Sequence, residues 1–221
     1  MPTVPDSLAN TTRAAHDVGL AAWLGGTLFA KFAHNPSVKL VSSHTERGQV
    51  VNAAWNGYNP INALGLGAAA IGWTAARFTE TDRSLLTDTE HRLSVAKDVL
   101  MGVAVVTGII NGIQGARLAA QAPEGAVPVE SGTEPAAETP PAAAKIQRTL
   151  GWLGNVNIAT GVALVAVNGV LAQVNHSHPS TKRALLRSEE VGPASGLSPL
   201  WIGSGVGTAA AIADQVRRAR S

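Results

Sequence analysis

Cysteine is missing from the chain altogether, which excludes disulfides, thiolate nucleophiles and cysteine-ligated metal or iron–sulfur centres. Charge is the second shortage: 14% of the 221 residues are Asp, Glu, Lys or Arg, against about 25% in soluble domains. The shortage is local. Residues 99–116 and residues 150–174 carry no charge at all. Aromatic rings are few, and no basic run is interleaved with them, as a single-stranded nucleic-acid binder requires. A net charge of +2, scattered along the chain, gives no electrostatic footprint for nucleic acid. There is no Gly-x-Ser-x-Gly elbow, no His-Glu-x-x-His and no Gly-Lys-Ser/Thr. The run Gly203-Ser204-Gly205-Val206-Gly207 lacks the Lys-Ser/Thr and the preceding strand of a phosphate loop. Ser42, Ser43 and His44 are sequence neighbours, and adjacency alone does not make a catalytic pair.

What is present is apolar length. A bilayer core about 30 Å thick takes roughly 20 mainly apolar helical residues, and four segments approach or meet that. The first runs from Arg13 to Ala33, with Thr11 or Thr12 as N-cap and Asn35-Pro36 as its stop. The second runs from Ile61 to Phe78, with Asn59 as N-cap and Pro60 at the first helical position. The third and fourth are Val99 to Leu118 and Leu150 to Val174. A soluble bundle would show a polar face on each helix, and the last two segments show no charged face. The expectation is an all-α integral membrane bundle of four transmembrane helices. A short, Gly-rich fifth candidate, Pro199 to Ala213, would lie in the interface or cross. The first segment is read as a retained span, because no small-x-small cleavage site follows it.

Basic residues set the orientation. One side collects Arg13, then Arg77, Arg83, Arg92 and Lys97, then the six from Lys182 to Arg220, eleven in all. The other collects six: Lys31, Lys39, Arg47, Arg117, Lys145 and Arg148. Both termini are therefore expected in the cytoplasm of a multi-pass cell-membrane protein. A crossing fifth segment would leave eight against nine and erase the contrast. Trp55 and Trp152 then fall near the outer boundary and Trp73 near the inner one, as an aromatic belt requires.

The stretch Ala119 to Ala144 has scattered prolines, four glutamates and no basic residue, and is expected to be extended and mobile. The chain accordingly divides into a three-span part (1–118), a disordered linker (119–145) and a fourth span with a cytoplasmic tail (146–221).

Helices in lipid associate through small residues that allow close approach. Ala104, Gly108, Gly112 and Ala116 place one at every fourth position of the third span, and Ala68, Gly72, Ala76 and Ala22, Gly26 do so on the second and first. These faces serve packing within the chain, or a homo-oligomer or larger membrane complex. Polar residues inside the spans, such as Asn62, Thr107, Asn111, Asn155, Asn157, Thr160 and Asn168, are none of them ionisable and read as interhelical hydrogen bonds. His16, Asp17, Lys97 and Asp98 fall near span ends and read as anchors reaching water.

Four histidines, His16, His91, His176 and His178, fall toward the cytoplasmic boundary. Imidazole ligates haem iron, copper and zinc, so they are candidate cofactor-binding residues, with the metal unassigned. His16, Trp23-Leu24-Gly25-Gly26 and Phe29 resemble the first helix of small bacterial inner-membrane families, among them the copper-resistance-D-like proteins and uncharacterised four-helix groups. That resemblance spans about a tenth of the chain and implies a four-helix membrane fold. The mid-helix histidines and methionines of copper handling are missing. Two functions follow as expectations: a non-enzymatic accessory or scaffold subunit, or a haem- or metal-binding redox membrane protein.

Overall fold

The computed structural model describes residues 6–79, 86–122 and 125–177, with side chains from Asn10 to Phe78, Leu86 to Ala122 and Gly125 to Val174. The candidate segment Pro199 to Ala213 lies outside them. Among the described residues the fold is all-α in its bulk, with four long helices: α1 (Asp6–Phe29), α3 (His44–Thr79), α4 (Asp88–Ala119) and α5 (Pro141–Ser177). A π-helical turn (Ala30–His34) and a short α2 (Asn35–Val38) continue α1, and a two-stranded hairpin, β1 (Val129–Ser131) with β2 (Glu134–Pro135), precedes α5.

Two prolines expected to mark boundaries sit inside helical structure instead. Pro60 is internal to the 36-residue α3 rather than at its start. Pro36 follows the π-helical turn, which stands where a proline would clash with the carbonyl of the preceding turn. The start of α4 is built as a capping box. Thr87 accepts from the Glu90 backbone N–H, while the Glu90 carboxylate takes the Thr87 backbone N–H at 2.7 Å.

Glycines set the α1–α3 approach. A Cβ on Gly19 would collide with the Gly65 carbonyl, and one on Gly72 would lie 2.8 Å from both the His16 Cβ and the Thr12 carbonyl. The core is Leu20, Trp23, Leu24, Ala69, Trp73, Met101, Ala104, Leu164 and Leu171, drawn from all four helices. At Gly161 of α5 a Cβ would meet Leu24 at 2.7 Å, which brings α5 onto α1.

Of the four expected spans, α4 and α5 are long and apolar enough to cross a membrane. The apolar windows of these two helices are only 22% and 28% buried. The buried face of α4 is Glu90, Ser94, Lys97, Met101, Ala104 and Thr107, a three-to-four-residue spacing that is mostly polar. Its exposed face carries Val95, Val99, Val103, Val106, Ile109, Ile110 and Ile113. The helix is polar inside and apolar outside.

The expected mobile linker is a second correction. Residues 125–144 fold back as the hairpin and seat on the end of the bundle formed by α2 and the start of α3. Val129 joins Val38 and Val51 in a small core with Trp55 against it, and Ala126 and Val127 are buried beside Gly48. The β-branched residues at 127 and 129 supply the buried contacts and Gly132 the turn; the prolines fall at strand ends or outside.

Candidate functional site

The start of α1, the end of α3, the start of α4 and the end of α5 meet at one end of the bundle, where a polar lattice joins all four. Lys97 is 2% exposed and its Nζ donates to Asn168 Oδ1 on α5. Asn168 Nδ2 donates in turn to Asp17 Oδ1 on α1 at 3.1 Å. The Lys97 ammonium also lies 4.1 Å from the centroid of the Trp73 ring on α3, a desolvated cation–π contact. The indole Nε1–H of Trp73 returns to α4, donating to Asp98 Oδ1 at 2.8 Å, and Asp98 Oδ2 pairs with Arg77 Nη2 at 3.1 Å. Two cations and two carboxylates balance, so the lattice fixes helix positions without a net buried charge.

His16 adjoins this lattice. Its Nδ1 lies 2.6 Å from the Ala69 carbonyl and must donate, since a carbonyl only accepts. That fixes the tautomer. Its Nε2 is buried and has no hydrogen-bond partner among the described residues. His16 and Lys97 are thus inside the bundle, not the water-reaching anchors their sequence position suggests. The polar side chains behave as interhelical bonds at one expected place besides Asn168: the Thr107 hydroxyl on α4 lies within hydrogen-bonding distance of Asn157 Oδ1 on α5.

Of the other candidate histidines, His91 is half-buried in the first turns of α4 at the same end. The side chain of His176 and all of His178 lie outside the described residues. Among the described residues no group of three His, Asp or Glu converges as a metal site. No family model, characterised protein or solved structure matches the chain.

The α4 small-residue stripe divides in two. Ala104 is fully buried and a Cβ on Gly108 would meet the tip of Leu66 at 2.6 Å, so these positions pack within the chain. Gly112 has nothing within 4 Å of its Cβ direction, and both it and Ala116 are exposed.

The opposite end carries a second charged cluster, on the hairpin. His44 sits between Glu138, which faces its Nδ1, and Glu130, 3.0 Å from its Nε2. Arg47 reaches Glu130 Oε2 at 3.1 Å and the carbonyls of Val41, Lys39 and Glu130. Lys39 pairs with Glu134 at 3.1 Å. The hydrogen bond from Lys39, with a second from Ser131, holds Glu134 below the ordinary glutamate range, and the bond to His44 does the same for Glu138. Sequence reasoning missed this clasp because its partners are about 80 to 95 residues apart.

Proposed function

We propose that this chain is a polytopic membrane protein of four spans, acting as a non-enzymatic accessory or scaffold subunit. The observation that carries the membrane half is the inversion of α4, whose buried face is mostly polar and whose exposed face is Val and Ile. A soluble protein would lose stability by exposing those side chains, whereas lipid solvates them. Exposed large apolar residues run from Val95 to Ile113 on α4 and from Trp152 to Val170 on α5. At 1.5 Å per residue each run is about 27 Å long, close to the bilayer core. Similar residues, Val18, Phe29 and Phe32 on α1 and its π turn and Ile61, Leu64, Ile71 and Phe78 on α3, extend the band around the bundle. With four alternating spans, the count of eleven basic residues against six along the sequence favours both termini in the cytoplasm. Retention of the full-length protein in membranes after carbonate washing supports this reading, and release overturns it. A reporter after Ser221 should read as cytoplasmic and one inside Ala119 to Ala144 as external.

The scaffold half rests on the outward part of the α4 stripe. Gly112 and Ala116 present small residues to the bilayer, the surface another helix needs for close approach. Gly112→Leu with Ala116→Leu should abolish a self- or hetero-association seen by crosslinking in mild detergent, and unchanged association would sink the reading. Gly108→Leu is the wrong probe, since it strikes Leu66 within the chain.

One observation favours a second reading, a haem- or metal-binding protein. A ligating imidazole usually donates its other ring N–H to a carbonyl or carboxylate, which sets the tautomer. His16 does so, and leaves Nε2 buried without a partner among the described residues. An absorption spectrum and metal analysis of the purified protein, with His16→Ala beside it, decide between the readings.

A further inference from the structure

Where the hairpin meets the bundle, α3, the end of α4 and the second turn of α5 surround a cavity of about 20 Å³. Its wall is mostly apolar, with Val51, Leu118, Val127 and Val129 upon it. Beside it the hairpin closes on α3 so tightly that a Cβ on Gly48 would strike the Val127 carbonyl. Among the described residues two polar side chains line the space, Asn52 of α3 and Gln147 of α5. Gln147 is fully buried. Its Nε2 donates to the Pro128 carbonyl at 3.4 Å, and because a carbonyl only accepts, the amide cannot be turned the other way. Its Oε1 is therefore a buried acceptor with no hydrogen-bond partner among the described residues.

From this juxtaposition we infer that the cavity binds one water molecule, which donates to Gln147 Oε1 and bridges it to the Asn52 side chain, tying α5 to α3 beneath the hairpin. The inference does not rest on the membrane reading. Volume selects the ligand. One water needs about 10–15 Å³ of such space, and organic ligands need sites of roughly 300 Å³ or more. At about 20 Å³ the cavity takes the first and excludes the second. Hard cations are the other small candidates, and they ordinarily draw carboxylates; the described wall holds none. Polarity matches too. A buried water needs two to four polar partners. Gln147 Oε1 accepts one of its protons, and the Asn52 amide can donate to its oxygen or accept its other proton. An acceptor stranded in an apolar wall is costly, and a bridging water is nearly as good as a direct bond. The other end of the same amide holds the Pro128 carbonyl, so the water fixes the side chain that the hairpin leans on.

The test uses the deuterated full-length protein in detergent at neutral pH, with water-to-amide cross-relaxation measured by NMR. The expected result is the signature of a long-lived internal water at amides between Val127 and Gly132. Gln147→Met, close in volume but without the acceptor, should remove that signal. It should also speed amide exchange at Val127 to Ser131 about fivefold, the worth of one hydrogen bond. Gln147→Glu keeps an acceptor and should keep the water. Asn52→Leu, at a half-buried helical position that should fold, is expected to remove the signal as well, so the test survives a poorly folding Gln147→Met. Gln114→Met, on α4 outside the cavity wall, should change nothing. Absence of the signal from the native protein overturns the inference, as does a signal of full strength in Gln147→Met or Asn52→Leu. Exchange that quickens when sodium chloride is replaced by choline chloride, with no water signal, overturns it in favour of a bound cation.

Discussion

Lys97 offers the sharpest test of how the bundle is held together, because replacing it by Met and by Ala should give different answers. The native side chain loses the solvation of a buried ammonium, a cost of several kcal/mol. Against this it gains a charge-assisted bond to Asn168, worth about 1.5–3 kcal/mol, and a desolvated contact on Trp73 worth about 2. The sum is near zero, so the charge itself contributes little net stability. Lys97→Met keeps the packed stem, removes the desolvation cost and strands Asn168 Oδ1, for a predicted loss of about 1 kcal/mol. Lys97→Ala adds a cavity beside Trp73 and should cost about 3. Lys97→Met with Asn168→Leu removes both partners and should recover most of the Met loss. The measurement is unfolding of the full-length protein in mild detergent, followed by tryptophan emission. If Met and Ala cost the same 3 kcal/mol or more, or if the double variant is additive, the ammonium is a net stabiliser and the balance above is wrong.

The clasp at the other end should respond to acid. Carboxylates held below their ordinary range contribute stability that is complete above that range and is lost as pH falls through the depressed values. The hairpin should therefore loosen below about pH 4, seen as faster amide exchange at Val127 to Ser131, and unchanged exchange down to pH 3 would refute it. Arg47→Lys should free the hairpin at neutral pH, because an ammonium cannot serve Val41, Lys39 and Glu130 together; protease nicking between Gly125 and Pro140 measures this. Gly19→Ala should cost about 2 kcal/mol or more, its Cβ striking the Gly65 backbone. Gly25→Ala and Gly67→Ala meet nothing within 4 Å and should be neutral or stabilising by a few tenths of a kcal/mol, as the helix-propensity gain suggests.

Periodicity and apolar length made the four helices legible, since α4 and α5 have no charge over long runs and the α1–α3 glycines repeat at helical spacing. Where sequence reasoning went astray, one distant partner changed the meaning of a residue. Lys97 beside Asp98 looks like an end anchor until α5 delivers Asn168 and α3 delivers Trp73. The segment at 119–144 looks unable to bury a core because its own composition cannot. The surface it covers is supplied by Val38, Gly48 and Val51, and Glu130 and Glu134 find cations in Arg47 of α3 and in Lys39 just after α2. Two signals were present locally and went unused. Thr87 with Glu90 has capping-box spacing ahead of an apolar run, and the inward valines at 127 and 129 before Ser131-Gly132 have hairpin spacing.

The two ends of the bundle apply one device in different solvents. At the hairpin end the paired groups are mostly half-exposed, so each contact is screened by salt and worth little alone, and only their number closes the strap. At the lattice end Lys97 is almost fully buried, and its partners come from α5 and α3, with Asp17 of α1 behind Asn168. There a single mismatch leaves a charge or an amide stranded, so the contacts act as a register: they specify which helix lies beside which more than they lower the energy of the fold. Small-residue seams such as Gly19 against Gly65 allow helices to approach but allow sliding too, and outward-facing apolar residues oppose neither. A bundle whose inward surface is Ala, Gly and a few large side chains needs polar pins to choose one arrangement. That is why Lys97 and Thr107 of α4 lie on its buried face.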